Sequence, residues 1–92
     1  MTVDTAGLDR LILEPTRLRI CGFLAPLEEA DFGALRDDLD VSESALSKHM
    51  ARLEAAGYVS TRKDTFDGRR SWAALTGPGR RVLAAHVEAL QR

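Results

Sequence analysis

The sequence predicts a mainly α-helical domain with one β-hairpin, in the order α-α-α-α-β-β-α, and three observations predict it. Apolar residues recur at helical spacing through most of residues 8–55 and again from residue 78 onward. Between Tyr58 and Leu75 the pattern changes to short β-branched and alternating segments around the turn-forming run Asp64, Thr65, Phe66, Asp67 and Gly68. Only Leu39 to Ser42 separates the third helix from the fourth, and two helices joined so tightly must cross steeply, which is the helix-turn-helix arrangement.

Leu8, Leu11 and Ile12 sit at helical spacing in a short first helix. Pro15 suits the first turn of a second helix running to about Ala25, where Leu18, Ile20, Cys21, Phe23 and Leu24 make it apolar nearly all round, as expected of a helix covered on several sides. Pro26 ends it, and Glu28 to Asp31 read as a polar loop. Asp31 caps a third helix that carries Phe32, Leu35 and Leu39 inward.

Ser42 caps the fourth helix and Gly57 supplies its left-handed stop. At about 100° per residue, Leu46, Met50 and Leu53 share one narrow stripe, while Ser44, Ser47, Lys48 and Ala51 lie roughly opposite. That outer face is small, hydroxylic and basic, suited to close approach by something flat and anionic, with a DNA major groove the leading candidate. Tyr58–Lys63 and Arg70–Leu75 form the hairpin. Thr76, Gly77 and Pro78 open a last helix whose arc of Val82, Leu83, His86, Val87, Ala89 and Leu90 is wider than one neighbour requires.

Ninety-two residues make one domain with a modest core, for which a partner chain would add useful burial. No run of 18 apolar residues and no cleavable leader is read, so a cytoplasmic protein is expected. Net charge is −1, but it is segregated: residues 1–59 hold six Lys or Arg against eleven Asp or Glu, a balance of −5, and residues 60–92 hold seven against three, a balance of +4. Local patches set the field that a polyanion meets, so the total does not exclude nucleic acid. Arginine outnumbers lysine 11 to 2, a bias that a GC-rich genome would also produce.

The order of elements is that of a winged helix, and the stretches EPTRLRI, VSESALSKHMARLEAAGYV and DGRRSWAALTGPGR resemble the MarR/ArsR-like winged helix-turn-helix transcriptional regulators of prokaryotes, especially the small stand-alone members. The resemblance covers most of residues 14–81. It rests on the pattern S-x-x-x-x-S-K-H-M-x-x-L-E-x-x-G-Y-V, and on the D-x-R of the wing followed by L-T-x-x-G-R. In this reading residues 31–57 are the helix-turn-helix, 58–75 the wing, and 1–14 and 78–92 the dimerisation helices of a single 1–92 DNA-binding domain.

A recognition helix turns its N-terminal residues toward base edges, which nominates Glu43, Ser44, Ser47 and Lys48 for the groove and Arg52 for a flanking phosphate. Glu43 reads equally well as a carboxylate favoured by the helix N-terminus. For the wing, the resemblance implies that Arg69 reaches the minor groove with Asp67 holding its guanidinium. Lys63, Arg70 and Arg62 would neutralise backbone, although strand-edge charges also keep an edge from pairing. Arg80 and Arg81 open the last helix, an unfavourable end for cations, so a phosphate or acidic partner nearby is one reading.

The expected function is sequence-specific binding of duplex DNA by a homodimeric transcriptional regulator, with repression the commoner outcome for so compact a protein. Leu8, Leu11, Ile12, Val82, Leu83, His86, Val87 and Leu90 are the expected dimer interface. The competing reading is a winged helix used as a protein-interaction module without DNA binding. A small-molecule effector is a further partner, hinted at only by Cys21, Phe23 and Trp72, which read more simply as core residues.

The chain offers no nucleophile with an adjacent base, no phosphate-binding glycine loop and no paired carboxylates in an apolar setting, so no catalysis is expected. His49 and His86 lack the companions that would make a metal site, and no cofactor is expected. His49 reads as a packing or phosphate-contacting residue. The lone Cys21 reads as a buried thiol rather than a redox sensor.

Overall fold

The computed structural model describes residues 9–91. Its elements are α1 (Arg10–Leu13), α2 (Pro15–Leu24), β1 (Ala30–Asp31), α3 (Phe32–Leu39), α4 (Glu43–Ala55), β2 (Val59–Lys63), β3 (Ser71–Leu75) and α5 (Gly77–Leu90). The expected helices and both hairpin strands are present within a residue or two of their anticipated ends. One expectation is corrected: residues 28–31 do not end as a loop, because Ala30 and Asp31 pair antiparallel with Ala73 and Trp72. The sheet therefore has three strands in the order β1-β3-β2 rather than two. Two residues cannot display an alternating pattern, and the pairing is dictated by the open edge of β3.

Local chemistry explains each boundary. Asp9 caps α1 by accepting from the Leu11 amide at 2.8 Å, and Glu14 caps α2 by accepting from the Arg17 amide at 2.8 Å. That backbone donor holds the Glu14 carboxyl below its ordinary range. Asp40 takes the left-handed conformation (φ 53°) that closes α3, and Ser42 then caps α4 by accepting from the Ala45 amide at 3.1 Å. Gly57 (φ 81°) ends α4 in a Schellman arrangement: its amide donates to the Glu54 carbonyl, and the Tyr58 amide reaches back to Leu53.

The core gathers Ile12, Ile20, Cys21, Leu24, Leu35, Leu39, Leu46, Met50, Leu53, Val59, Ala73 and Leu75, with Phe23, Tyr58, Val82 and Leu83 packed around it. Burying each of the large aliphatic side chains contributes about 2 kcal/mol before entropy is counted. Cys21 is enclosed, and burial pushes its thiol up to about 11, which makes it an inert core residue. Trp72, in contrast, is not core: it is half-buried in the hairpin. None of the described helices is long and apolar enough to cross a membrane.

The joint between the hairpin and α5 explains the L-T-x-x-G-R run. Thr76 caps α5 by accepting from the Gly79 amide at 3.0 Å, while its hydroxyl donates to the Gly57 carbonyl at 2.6 Å. A Cβ on Gly79 would lie 2.1 Å from the Tyr58 carbonyl oxygen, so α5 approaches the start of β2 at a distance only glycine permits. Arg80 donates to the carbonyls of Ala25 (2.6 Å) and Leu27 (3.1 Å), beyond the C-terminal end of α2. Within the chain, the partner of this cation is thus the negative end of another helix.

The buried face of α5 runs through Gly79, Val82, Leu83 and His86, and Ile12 and His86 are only 1% and 2% exposed. Both residues, expected at a dimer interface, are already covered by their own chain and have almost no area left for a second copy. His86 Nδ1 meets no hydrogen-bond partner among the described residues. Leu8 lies outside the described residues.

Replacing Gly79 by Ala should cost about 3 kcal/mol, because the methyl meets backbone that cannot yield. Gly77→Ala, whose new methyl meets only the flexible end of Arg81 at 3.5 Å, should stay within about 0.5 kcal/mol of wild type. Urea denaturation of the two variants measures the contrast.

Candidate nucleic-acid interface

Burial of one stripe decides what α4 presents. Leu46, Met50 and Leu53 are at most 2% exposed, and the remaining faces carry Glu43, Ser44, Ser47, Lys48, Ala51 and Arg52 into solvent. Glu43 is the acidic residue of the first helical turn, where the helix dipole favours it. Lys48 and Arg52 border a shallow concavity shared with Ser44, Ala45, His49 and Arg17.

Arg17 is a member of this cluster that sequence reasoning missed. It comes from α2, far away in the chain. Its Nε donates to the Leu11 carbonyl at 2.5 Å, and its Nη1 lies 3.2 Å from His49 Nδ1, which must accept because a guanidinium only donates. The available signal was its place within EPTRLRI, but no periodicity along one helix could pair it with His49.

The wing is built around Asp64. One carboxylate oxygen accepts from the amides of Phe66 (2.8 Å) and Asp67 (3.0 Å), and the other accepts from the Trp72 indole at 2.9 Å. The indole, and then the two amides, hold the Asp64 carboxyl down at about 2. The Asp64 amide donates to the Arg70 carbonyl, and the Arg70 amide to that of Asp67. A turn so fully bonded is rigid although it projects into water.

Its cations have different fates. Arg69 has a side chain that is 98% exposed; Asp67 lies 3.9 Å from its Nε but accepts from its amide at 3.0 Å. Asp67 therefore fixes the backbone of Arg69 more firmly than its guanidinium, and the long ion pair is worth little in water. Arg70 is committed to its own chain, 3.5 Å from Asp31 and 4.6 Å over the Trp72 ring. Arg62 makes a two-point contact with Glu29 (2.5 and 3.0 Å), and its guanidinium lies 5.6 Å from the centroid of the Trp72 ring. Lys63 is exposed at the end of β2. Thr61 donates to Glu54 at 2.9 Å and so links the wing to the last turn of α4. Between wing and helices, Arg36, Glu43, Asp67, Arg69 and Arg70 line an open cleft.

An exposed polar helix beside a rigid basic hairpin is the layout of a groove-reading module, and comparison with known protein families agrees. Residues 16–92 match the winged helix DNA-binding domain. The chain belongs to that family. An uncharacterised protein of Methanocaldococcus jannaschii is 32% identical over 72 residues, 77% of this chain and 78% of that one. Among solved structures, a transcriptional regulator homologue from Pyrococcus horikoshii superposes with a TM-score of 0.86 at 28% identity, covering 91% of this chain and 84% of the other. MarR shares the fold, with a TM-score of 0.80 at 17% identity over 89% of this chain and 60% of its own. The fold of this winged helix is thus one it shares with MarR.

The wing of this winged helix should be sensitive to strong acid only. A depressed carboxyl stabilises the fold fully above its ordinary value and loses that contribution as pH falls, here between about pH 4 and pH 2. Fluorescence of Trp72, the chain's one tryptophan, should stay constant above about pH 4 and shift below it. Asp64→Asn should resemble the acid form already at neutral pH and lack the step.

Proposed function

We propose that this winged helix is a homodimeric transcriptional repressor that binds a palindromic operator in duplex DNA. The observation that carries the reading is the free outer face of α4, with Ser44, Ser47, Lys48 and Arg52 exposed, set beside a wing whose Arg69 guanidinium has, among the described residues, only the long 3.9 Å contact with Asp67. Lys48 donates to guanine acceptors, Glu43 accepts from cytosine where the sequence offers one, and the serines permit close approach. Arg52 meets a backbone phosphate, Arg17 holds His49 in place beside it, Lys63 adds neutralisation along the wing, and Arg69 enters the minor groove. Arg70 and Asp67 serve by positioning, since both are engaged within the chain.

The second copy docks on α5. Val87 and Leu90 are 43% and 63% exposed, next to the half-buried Val82 and Leu83, and Leu11 and Leu13 of α1 offer further apolar area. Two-fold symmetry then places the two recognition helices in successive major grooves, about 10 bp apart. The likeness to the Pyrococcus protein, a transcriptional regulator homologue, supports the same role.

Selection from random duplex DNA should enrich an inverted repeat. On that duplex, Lys48→Ala and Arg69→Ala should each weaken binding about tenfold, and each should lower the slope of log affinity against log salt by about one. Gel-shift titrations at several salt concentrations measure both effects, and failure of the wild-type protein to enrich any sequence would remove the regulator reading in favour of a protein-interaction module. Leu90→Glu should give a folded monomer by light scattering, with operator affinity reduced at least tenfold because one half-site no longer assists the other.

A further inference from the structure

The wing carries a large apolar group that neither the fold nor the charges of the interface use. Phe66 is 98% exposed, whereas the other large exposed hydrophobics, Leu13, Leu27, Val87 and Leu90, lie between 37% and 63% and rest partly on their neighbours. Turn positions ordinarily take small or polar residues, and a phenylalanine there contributes nothing to the core. The ring is not on a loose loop: its amide is bonded to Asp64, which also holds the Asp67 amide and the Trp72 indole. The next exposed side chain along the turn that lacks a close partner is Arg69. The tip thus presents an apolar ring and a guanidinium on one preorganised backbone; both oxygens of Asp64 accept from turn amides and the Trp72 indole, and one oxygen of Asp67 accepts from the Arg69 amide.

We propose that Phe66 is an apolar wedge that enters the minor groove at the wing tip and partly unstacks one base step. The inference rests on the DNA-binding reading above and names a contact that reading does not contain. Apolar side chains inserted from the minor groove open base steps and bend the duplex, and pyrimidine–purine steps yield most easily. A rigid tip suits the task, because the ring is delivered without ordering a loop. Arg69 supplies attraction to the narrow, negative groove floor, and Phe66 supplies the contact that depends on how readily the step opens. Its contribution is selectivity for deformable steps beneath the wing, at positions where no donor or acceptor is read.

The test uses the full chain and the duplex recovered by selection with wild-type protein, with 2-aminopurine placed in turn at each step under the wing. Wild-type binding should raise 2-aminopurine fluorescence at one step. Phe66→Ala should abolish that rise and weaken binding about tenfold while leaving the salt slope unchanged, in contrast to Arg69→Ala, which lowers the slope. Phe66→Leu should retain most of both signals. Circular dichroism and the Trp72 emission spectrum should be the same in all variants, because the ring touches little of its own chain. Full affinity of Phe66→Ala, or no fluorescence change with wild-type protein on a duplex that it binds, overturns the wedge but leaves the DNA-binding reading standing. Absence of binding by wild-type protein to every selected duplex overturns both.

Discussion

Everything presented by this domain depends on how α4 is attached. Three side chains at i, i+4 and i+7, Leu46, Met50 and Leu53, anchor the helix by one stripe. A broader apolar face would bury more area, but it would draw Ser44, Ser47 and Lys48 toward the core and leave no surface free to meet a groove. The narrow attachment is compensated at the ends. Ser42 and Asp40 fix where the helix begins, the Schellman turn at Gly57 fixes where it stops, and Glu54 is tied to Thr61 of the hairpin. The helix is thus located by its termini as much as by its burial.

Much of this was legible in the chain because the signals are local. The stripe, the serine and aspartate caps, the Gly57 stop and the turn run at residues 64–68 each follow from a few adjacent residues, and the structure places each of them where the spacing indicated. What escaped depends on distant partners. The strand at Ala30 exists only because β3 has an edge to pair with, and Arg17 joins the face of α4 only because α2 packs behind it. Arg80 illustrates the same limit from the other side. Cations at a helix start are locally unfavourable, and the offsetting carbonyls belong to residues 25 and 27.

The charges of the wing show why counting basic residues overstates an electrostatic footprint. Of the cations in the hairpin, Arg62 is matched to Glu29 and Arg70 to Asp31, and both lie against Trp72. They serve the sheet, bracing the aromatic ring that in turn steadies Asp64. Only Lys63 and Arg69 project without an engaged side-chain partner closer than 3.9 Å among the described residues. A modest number of free cations suits a protein of net charge −1, since non-specific attraction to DNA stays weak and discrimination falls to geometry.

The contact between Gly79 and the Tyr58 carbonyl has a mechanical consequence. With no space between the root of the last helix and the root of the hairpin, and with Thr76 bonded to the Gly57 carbonyl just past the end of α4, these three parts share one fulcrum. Tilting the C-terminal helix must swing the hairpin with it, so a load placed on the last helix is felt at the tip of the wing.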